Sequence, residues 1–209
     1  AMDNSLPMYF KKGSVLNHMV ESGIEVAWFG DRHPNEAIFC ICICRKTKMV
    51  TIVFRGSVTA HNWSHNMKVM MSEQANPLAH ETYGGGKDTI WLHTGFSLYL
   101  LKRRRDDGRR KMDEIFDKVR KIGRELSPDG RYSVSVAGHS LGGALATIFS
   151  FFAATVPEFT RVAPVRTFTF ASPRVGDRGF LDAYRHLERT RRVVHARIAA
   201  YGDIVPLMP

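Results

Sequence analysis

The chain has 209 residues, 44% hydrophobic and 24% charged, enough apolar material for one sizeable core and too much for a disordered or low-complexity protein. Its 30 lysines and arginines outnumber 20 acidic residues, for a net charge of +10. No apolar run reaches the roughly 20 residues of a membrane span; LATIFSFFAATV (145–156) is the richest and falls short.

The positive charge is concentrated in KRRRDDGRRK (102–111) and ERTRRVVHAR (188–197). Such a face is either simply solvated or suited to anionic lipid headgroups. No aromatic residues interleave it as in nucleic-acid modules, so no nucleic-acid partner is expected. Cys40, Cys42 and Cys44 alternate along IFCICICRK. A strand would point all three to one face as free thiols, with no zinc spacing. Free thiols, and a start (AMDNSLPMYFKKG) without a signal-peptide pattern, lean towards an intracellular location, peripheral to a membrane or lipid droplet.

In chain order, KKGSVLNHMVESG (11–23) reads as a helix. AIFCICIC (37–44) and MVTIVF (49–54) read as a hairpin. The polar stretch 72–88, with Gly84-Gly85-Gly86, reads as a loop, and TIWLH (89–93) as a short strand. A long helical pattern follows, interrupted at RRRDDGRR; its second half lines up Met112, Ile115, Phe116, Val119, Ile122 and Leu126 on one face. YSVSVA (132–137) reads as a strand, Leu141 to about Val156 as a helix, and RTFTFA (166–171) as a strand. Asp177 opens a helix with Phe180, Tyr184 and Leu187 inward, and RVVHARIAA (192–200) is the last strand. This alternation predicts one α/β domain over 1–209, with a mainly parallel central sheet, helices on both faces and an N-terminal hairpin.

At the end of the strand at 132–137 stands Gly138-His139-Ser140-Leu141-Gly142. A serine hydroxyl that attacks a carbonyl must stand clear of its neighbours, and a sharp strand-to-helix turn lifts it. The residues two before and two after must then be small, as Gly138 and Gly142 are. The helix that follows aims unpaired N–H groups and the positive end of its dipole at the nucleophile.

With FRGS (54–57), HNW (61–63), HTGF (93–96), GHSLGGALA (138–146), FASPRVGD (170–177) and GDIVPLMP (202–209) in this order, the chain resembles the class 3 lipases, the fungal-type triacylglycerol lipase family. The resemblance implies an α/β-hydrolase fold with Ser140 as nucleophile and Asp203 as the triad acid. The oxyanion would be held by the backbone N–H groups of Leu141 and Ser57. Arg174 and Gly176 of PRVG look architectural. Residues 58–68 match the family's lid; as a helix capped by Thr59 they would place Ala60, Trp63 and Met67 on one apolar stripe, as interfacial activation requires. The Asn62-Trp63-Ser64 sequon is expected to be unused, since a sugar would obstruct such a lid.

The family order is Ser, Asp, His, yet no histidine follows Asp203 here. Of the nine present, His139 should point away from the site, and His195 lies eight positions back along the last strand, about 26 Å away. His186 is expected on a surface helix and His93 as a hydrogen-bonded structural residue. His61 and His65 would ride on the mobile lid, and His18, His33 and His80 have no motif. The expectation is a chain incomplete at its C-terminus, nearly inactive if it ends at Pro209.

The implied activity is hydrolysis of acylglycerol esters through an acyl-enzyme, with no metal or cofactor. The ester lipid could instead be a phospholipid (a phospholipase A1) or a galactolipid. From another class, the chain could be a lipase-like binding or signalling module without activity. Retention of Ser140, Gly138, Gly142, Ser57 and Asp203 argues against that.

Overall fold

The computed structural model describes residues 21–30, 37–56 and 70–208. Its strands are β1 (Ile24–Gly30), β2 (Phe39–Cys44), β3 (Met49–Phe54), β4 (Met71–Ala75), β5 (Thr89–His93), β6 (Ser133–His139), β7 (Val165–Phe170) and β8 (Val193–Ile198). Its helices are α1 (Thr94–Leu101), α2 (Lys111–Leu126), α3 (Leu141–Ala153), α4 (Pro157–Thr160) and α5 (Arg178–Arg189). Six strands form the central sheet in the order β1-β2-β3-β6-β7-β8. The first three are antiparallel, and β3, β6, β7 and β8 run parallel.

Alternation sets the core. Phe39, Ile41 and Ile43 of β2, Val50, Ile52 and Phe54 of β3, and Val134 and Val136 of β6 share one buried face. There Phe149 of α3 meets Phe54 with ring centroids 5.5 Å apart, and Phe116 of α2 meets Phe149 at 5.2 Å. Tyr184 of α5 packs against His195 of β8 on the same side. The crossovers from β3 to β6, β6 to β7 and β7 to β8 all step in one direction, and right-handed connections place the described helices within them on the Phe149 face. The α/β fold expected from the sequence, a mainly parallel central sheet with helices packed on it and an N-terminal hairpin, is the one seen. The N-terminal helix expected at 11–23 lies almost wholly outside the described residues. On the other face, Phe168 and Phe170 of β7 and Val194 and Ile198 of β8 are 41–55% exposed.

Two strands depart from the sequence reading. The start of the stretch read as a loop is β4, which pairs antiparallel with β5 in a separate two-stranded sheet. Its sequence MSEQA has no buried residue, so no apolar alternation marks it. β1, at IEVAWFG, is an edge strand whose register slips between Val26 and Trp28, and the slip breaks the period-two pattern. The helix opened by Asp177 forms as expected, with the Asp177 carboxylate accepting from Phe180 N.

Candidate active site

β6 ends at His139 and α3 begins at Leu141, so Ser140 alone makes the turn. Its backbone sits at φ 55°, ψ −123°, a left-handed region that costs a non-glycine residue about 1–3 kcal/mol. The surroundings hold it there. Ser140 N donates to Phe170 O at 2.9 Å, and Ser140 O accepts from Gly143 N at 2.9 Å and Ala144 N at 3.1 Å.

At Gly138 and Gly142 the small residue is required by backbone, not by side chains. A Cβ on Gly138 would lie 2.1 Å from Gly142 O, and one on Gly142 would lie 2.3 Å from Phe54 O. A Cβ on Gly143 would lie 2.8 Å from Ser172 Cβ, in the turn after β7. The elbow is therefore wedged between the ends of β3 and β7.

The Leu141 N–H, at the first position of α3, finds no acceptor among the described residues. Gly56 lies against the elbow, where a Cβ would come 2.9 Å from His139 O. The chain thus reaches the elbow one residue before Ser57. Ser57 itself, with Thr59, Trp63 and Met67 of the expected lid, lies outside the described residues.

Asp203 follows β8, two strands from β6, at the same carboxyl end of the parallel sheet as Ser140. Asp203 Oδ1 accepts from Val205 N at 3.0 Å, which shapes the turn into the 3₁₀ segment Val205–Leu207. Arg197 braces this turn: its Nη2 donates to Ser172 O at 2.7 Å and to Pro206 O at 2.8 Å. One guanidinium so links the turn supporting the elbow to the turn carrying Asp203. Sequence reading saw Arg197 only as part of a basic run, and no local pattern marks a guanidinium bonded to backbone carbonyls. A Cβ on Gly176 would meet Phe180 at 2.8 Å, which fits its architectural reading, whereas Arg174 contributes only its main-chain N–H, donated to Met208 O at 2.8 Å.

No described histidine hydrogen-bonds Ser140 or Asp203. His195 lies on β8, its Nε2 2.9 Å from Thr169 Oγ1; burial, and secondarily Arg197, push its pKa down to about 4. His186 Nε2 is 2.8 Å from Glu81, and its ring stacks on Tyr83. Arg192, and then His186, hold the Glu81 carboxyl down at about 2. His93 is a correction: it is 1% exposed and stacked on Phe96, but neither ring nitrogen has a hydrogen-bond partner among the described residues. Burial lowers its pKa, so a neutral ring is accepted there as an aromatic filler. His18, His33, His61 and His65 lie outside the described residues.

The model of the family described as Lipase (class 3) matches residues 51–209. Phospholipase A1-IIgamma of Arabidopsis thaliana is 28% identical over 171 residues, 77% of this chain and 38% of the relative. Phospholipase A1-II 6 of Oryza sativa subsp. japonica is 31% identical over 172 residues, 77% of this chain and 40% of the relative. The chain thus spans about two fifths of these relatives' length. Among solved structures, the Rhizomucor miehei triacylglyceride lipase superposes with a TM-score of 0.63 at 21% identity, covering 90% of this chain and 61% of the other. The Rhizopus microsporus var. chinensis lipase gives 0.62 at 19%, covering 98% and 63%. These show a shared α/β-hydrolase fold, and the family match extends from β3 through the elbow to the turn at Asp203: the chain belongs to the class 3 lipase family.

Proposed function

We propose that this protein is a serine hydrolase that cleaves carboxylic esters of lipids through an acyl-enzyme on Ser140. The observation that carries the reading is the strained turn at Ser140, held by the Phe54 and Phe170 ends of two neighbouring strands. Such strain persists where the surroundings impose it, and here it sets Ser140, only 9% exposed, next to the free Leu141 N–H. In this reading an imidazole takes the Oγ proton as Oγ attacks the ester carbon. The N–H groups of Leu141 and Ser57 hold the resulting oxyanion, the alcohol leaves with the proton, and water releases the acid. Asp203 orients that imidazole. Residues 58–68 act as the lid, turning Trp63 and Met67 to a lipid surface.

The phospholipase A1 names of the relatives favour a glycerophospholipid acyl ester as substrate, with acylglycerols second. The net charge of +10 supports docking on an anionic surface, which high salt would weaken.

Active-site labelling tests this. A fluorophosphonate should modify Ser140 of the folded chain, faster when free imidazole supplies the base, and not modify Ser140→Ala. Imidazole-stimulated fatty acid release from phosphatidylcholine, galactolipid and diacylglycerol vesicles then ranks substrates. A folded chain whose Ser140 stays unlabelled at every imidazole concentration would instead be a binding module.

A further inference from the structure

A cavity of about 650 Å³ lies between β8, α5 and the turn at 173–177, and neither Ser140, Leu141 nor Asp203 lines it. Its size falls in the range of about 300–1,000 Å³ that holds small molecules. Val175, Phe180, Leu181 and Tyr184 give it an apolar floor, while Arg174, Arg185 and Arg197 stand around it.

Among the described residues neither Arg174 nor Arg185 makes an ion pair within 4.0 Å, although Arg185 lies close enough to Glu188 to act on its carboxyl. Arg197 makes its two bonds from Nη2 to main-chain carbonyls, leaving the Nε and Nη1 hydrogens without an acceptor there. A further arginine, Arg178, is paired with Asp182 at 3.1 Å. Of the lining carboxylates, Asp177 is occupied capping α5. Glu188 is pushed up by burial, an effect that Arg185 only partly offsets. Burial, and then the neighbouring Arg174 charge, also lower the Arg197 pKa.

We propose that this cavity binds a single-chain anionic amphiphile, its carboxylate or phosphate head among Arg174, Arg185 and Arg197 and its alkyl chain on the Phe180 and Tyr184 floor. Guanidinium forks match both oxyanions with paired hydrogen bonds, which an ammonium cannot do. The proposal stands on the cavity and not on Ser140. A fatty acid, the acid released by ester cleavage, would nevertheless be one such ligand.

Calorimetric titration of the 209-residue chain with decanoate, decyl phosphate, decanol and inorganic phosphate, below micelle-forming concentrations, tests it. One or both decyl anions should bind at least about tenfold more tightly than decanol and than inorganic phosphate. The stronger identifies the head as carboxylate or phosphate. R174Q and R185Q, which leave the Arg197 brace intact, should each weaken that binding about tenfold with an unchanged melting temperature, while S140A should not alter it. Equal binding of decanol, equal binding of inorganic phosphate, indifference to R174Q and R185Q, or loss of binding in S140A would each overturn the assignment. Fluorophosphonate labelling reads Ser140 separately, so either idea can fail without the other.

Discussion

Gly142 stands so close to Phe54 that a methyl group on it would lie 2.3 Å from the Phe54 carbonyl oxygen. The start of α3 and the end of β3 are thus fitted backbone to backbone. Neither can yield as the tip of a side chain would. Gly142→Ala and Gly138→Ala should each cost about 2–4 kcal/mol, at or above the upper end of ordinary overpacking. Urea titration should show a lower midpoint with an unchanged slope. Wild-type stability in either variant would mean that the elbow is looser than its contacts require.

The strain at Ser140 has its own signature. Alanine keeps the unfavourable φ of 55°, whereas glycine adopts it freely. Ser140→Gly should therefore be more stable than Ser140→Ala by roughly 1 kcal/mol, although glycine ordinarily costs about 0.5–1 kcal/mol against alanine in a regular element. Both remove the hydroxyl, so the difference reports the backbone alone. Paired denaturation curves measure it, and equal stability would remove the strain argument.

His195 makes stability depend on pH. Its pKa lies near 4 in the fold against 6.5 as the reference value. Above pH 6.5 it is neutral in both states and contributes nothing. As pH falls below 6.5 the unfolded chain takes up a proton that the fold refuses until about 4, so stability falls through that window. The loss attributable to this residue should reach about 2 kcal/mol by about pH 5. His195→Gln, compared with wild type by urea unfolding at neutral pH and near pH 5, should show a shallower decline. An identical decline would place the acid sensitivity elsewhere.

Glu81 joins the segment after β4 to α5 and to the start of β8, receiving Arg192 at 2.7 and 2.5 Å and His186 at 2.8 Å. All three side chains are at most a quarter exposed, so the pairing is sheltered from water. A double-mutant cycle between Glu81→Gln and Arg192→Met should give a coupling of about 1–3 kcal/mol. A coupling near zero would make the contact ornamental.

The elbow was legible because its demands are local: a strand, a serine and two small residues at fixed spacing. The hairpin of β2 and β3 and the cap at Asp177 were legible for the same reason. What escaped depends on chain remote in sequence. β4 carries no apolar alternation because it belongs to a two-stranded sheet with no buried position on that strand. Arg197 reaches carbonyls 25 residues before it and nine after it, so no periodicity reveals it. The absence of hydrogen bonds at His93 is also invisible in HTGF, since the motif specifies burial and not the neighbours' chemistry.

The described sheet carries exposed apolar residues on the face opposite Phe149, an oily flank on a strongly positive polypeptide. At low ionic strength the charge of +10 keeps molecules apart, although Phe168, Phe170, Val194 and Ile198 face water on one side. Electrolyte shortens the reach of that repulsion to about 8 Å at 0.15 M and leaves the flank untouched. Light scattering should find the osmotic second virial coefficient passing from positive to negative as sodium chloride is raised. Phe168→Ser with Phe170→Ser should delay the crossing, so a dilute buffer and not a physiological one is where this molecule stays dispersed.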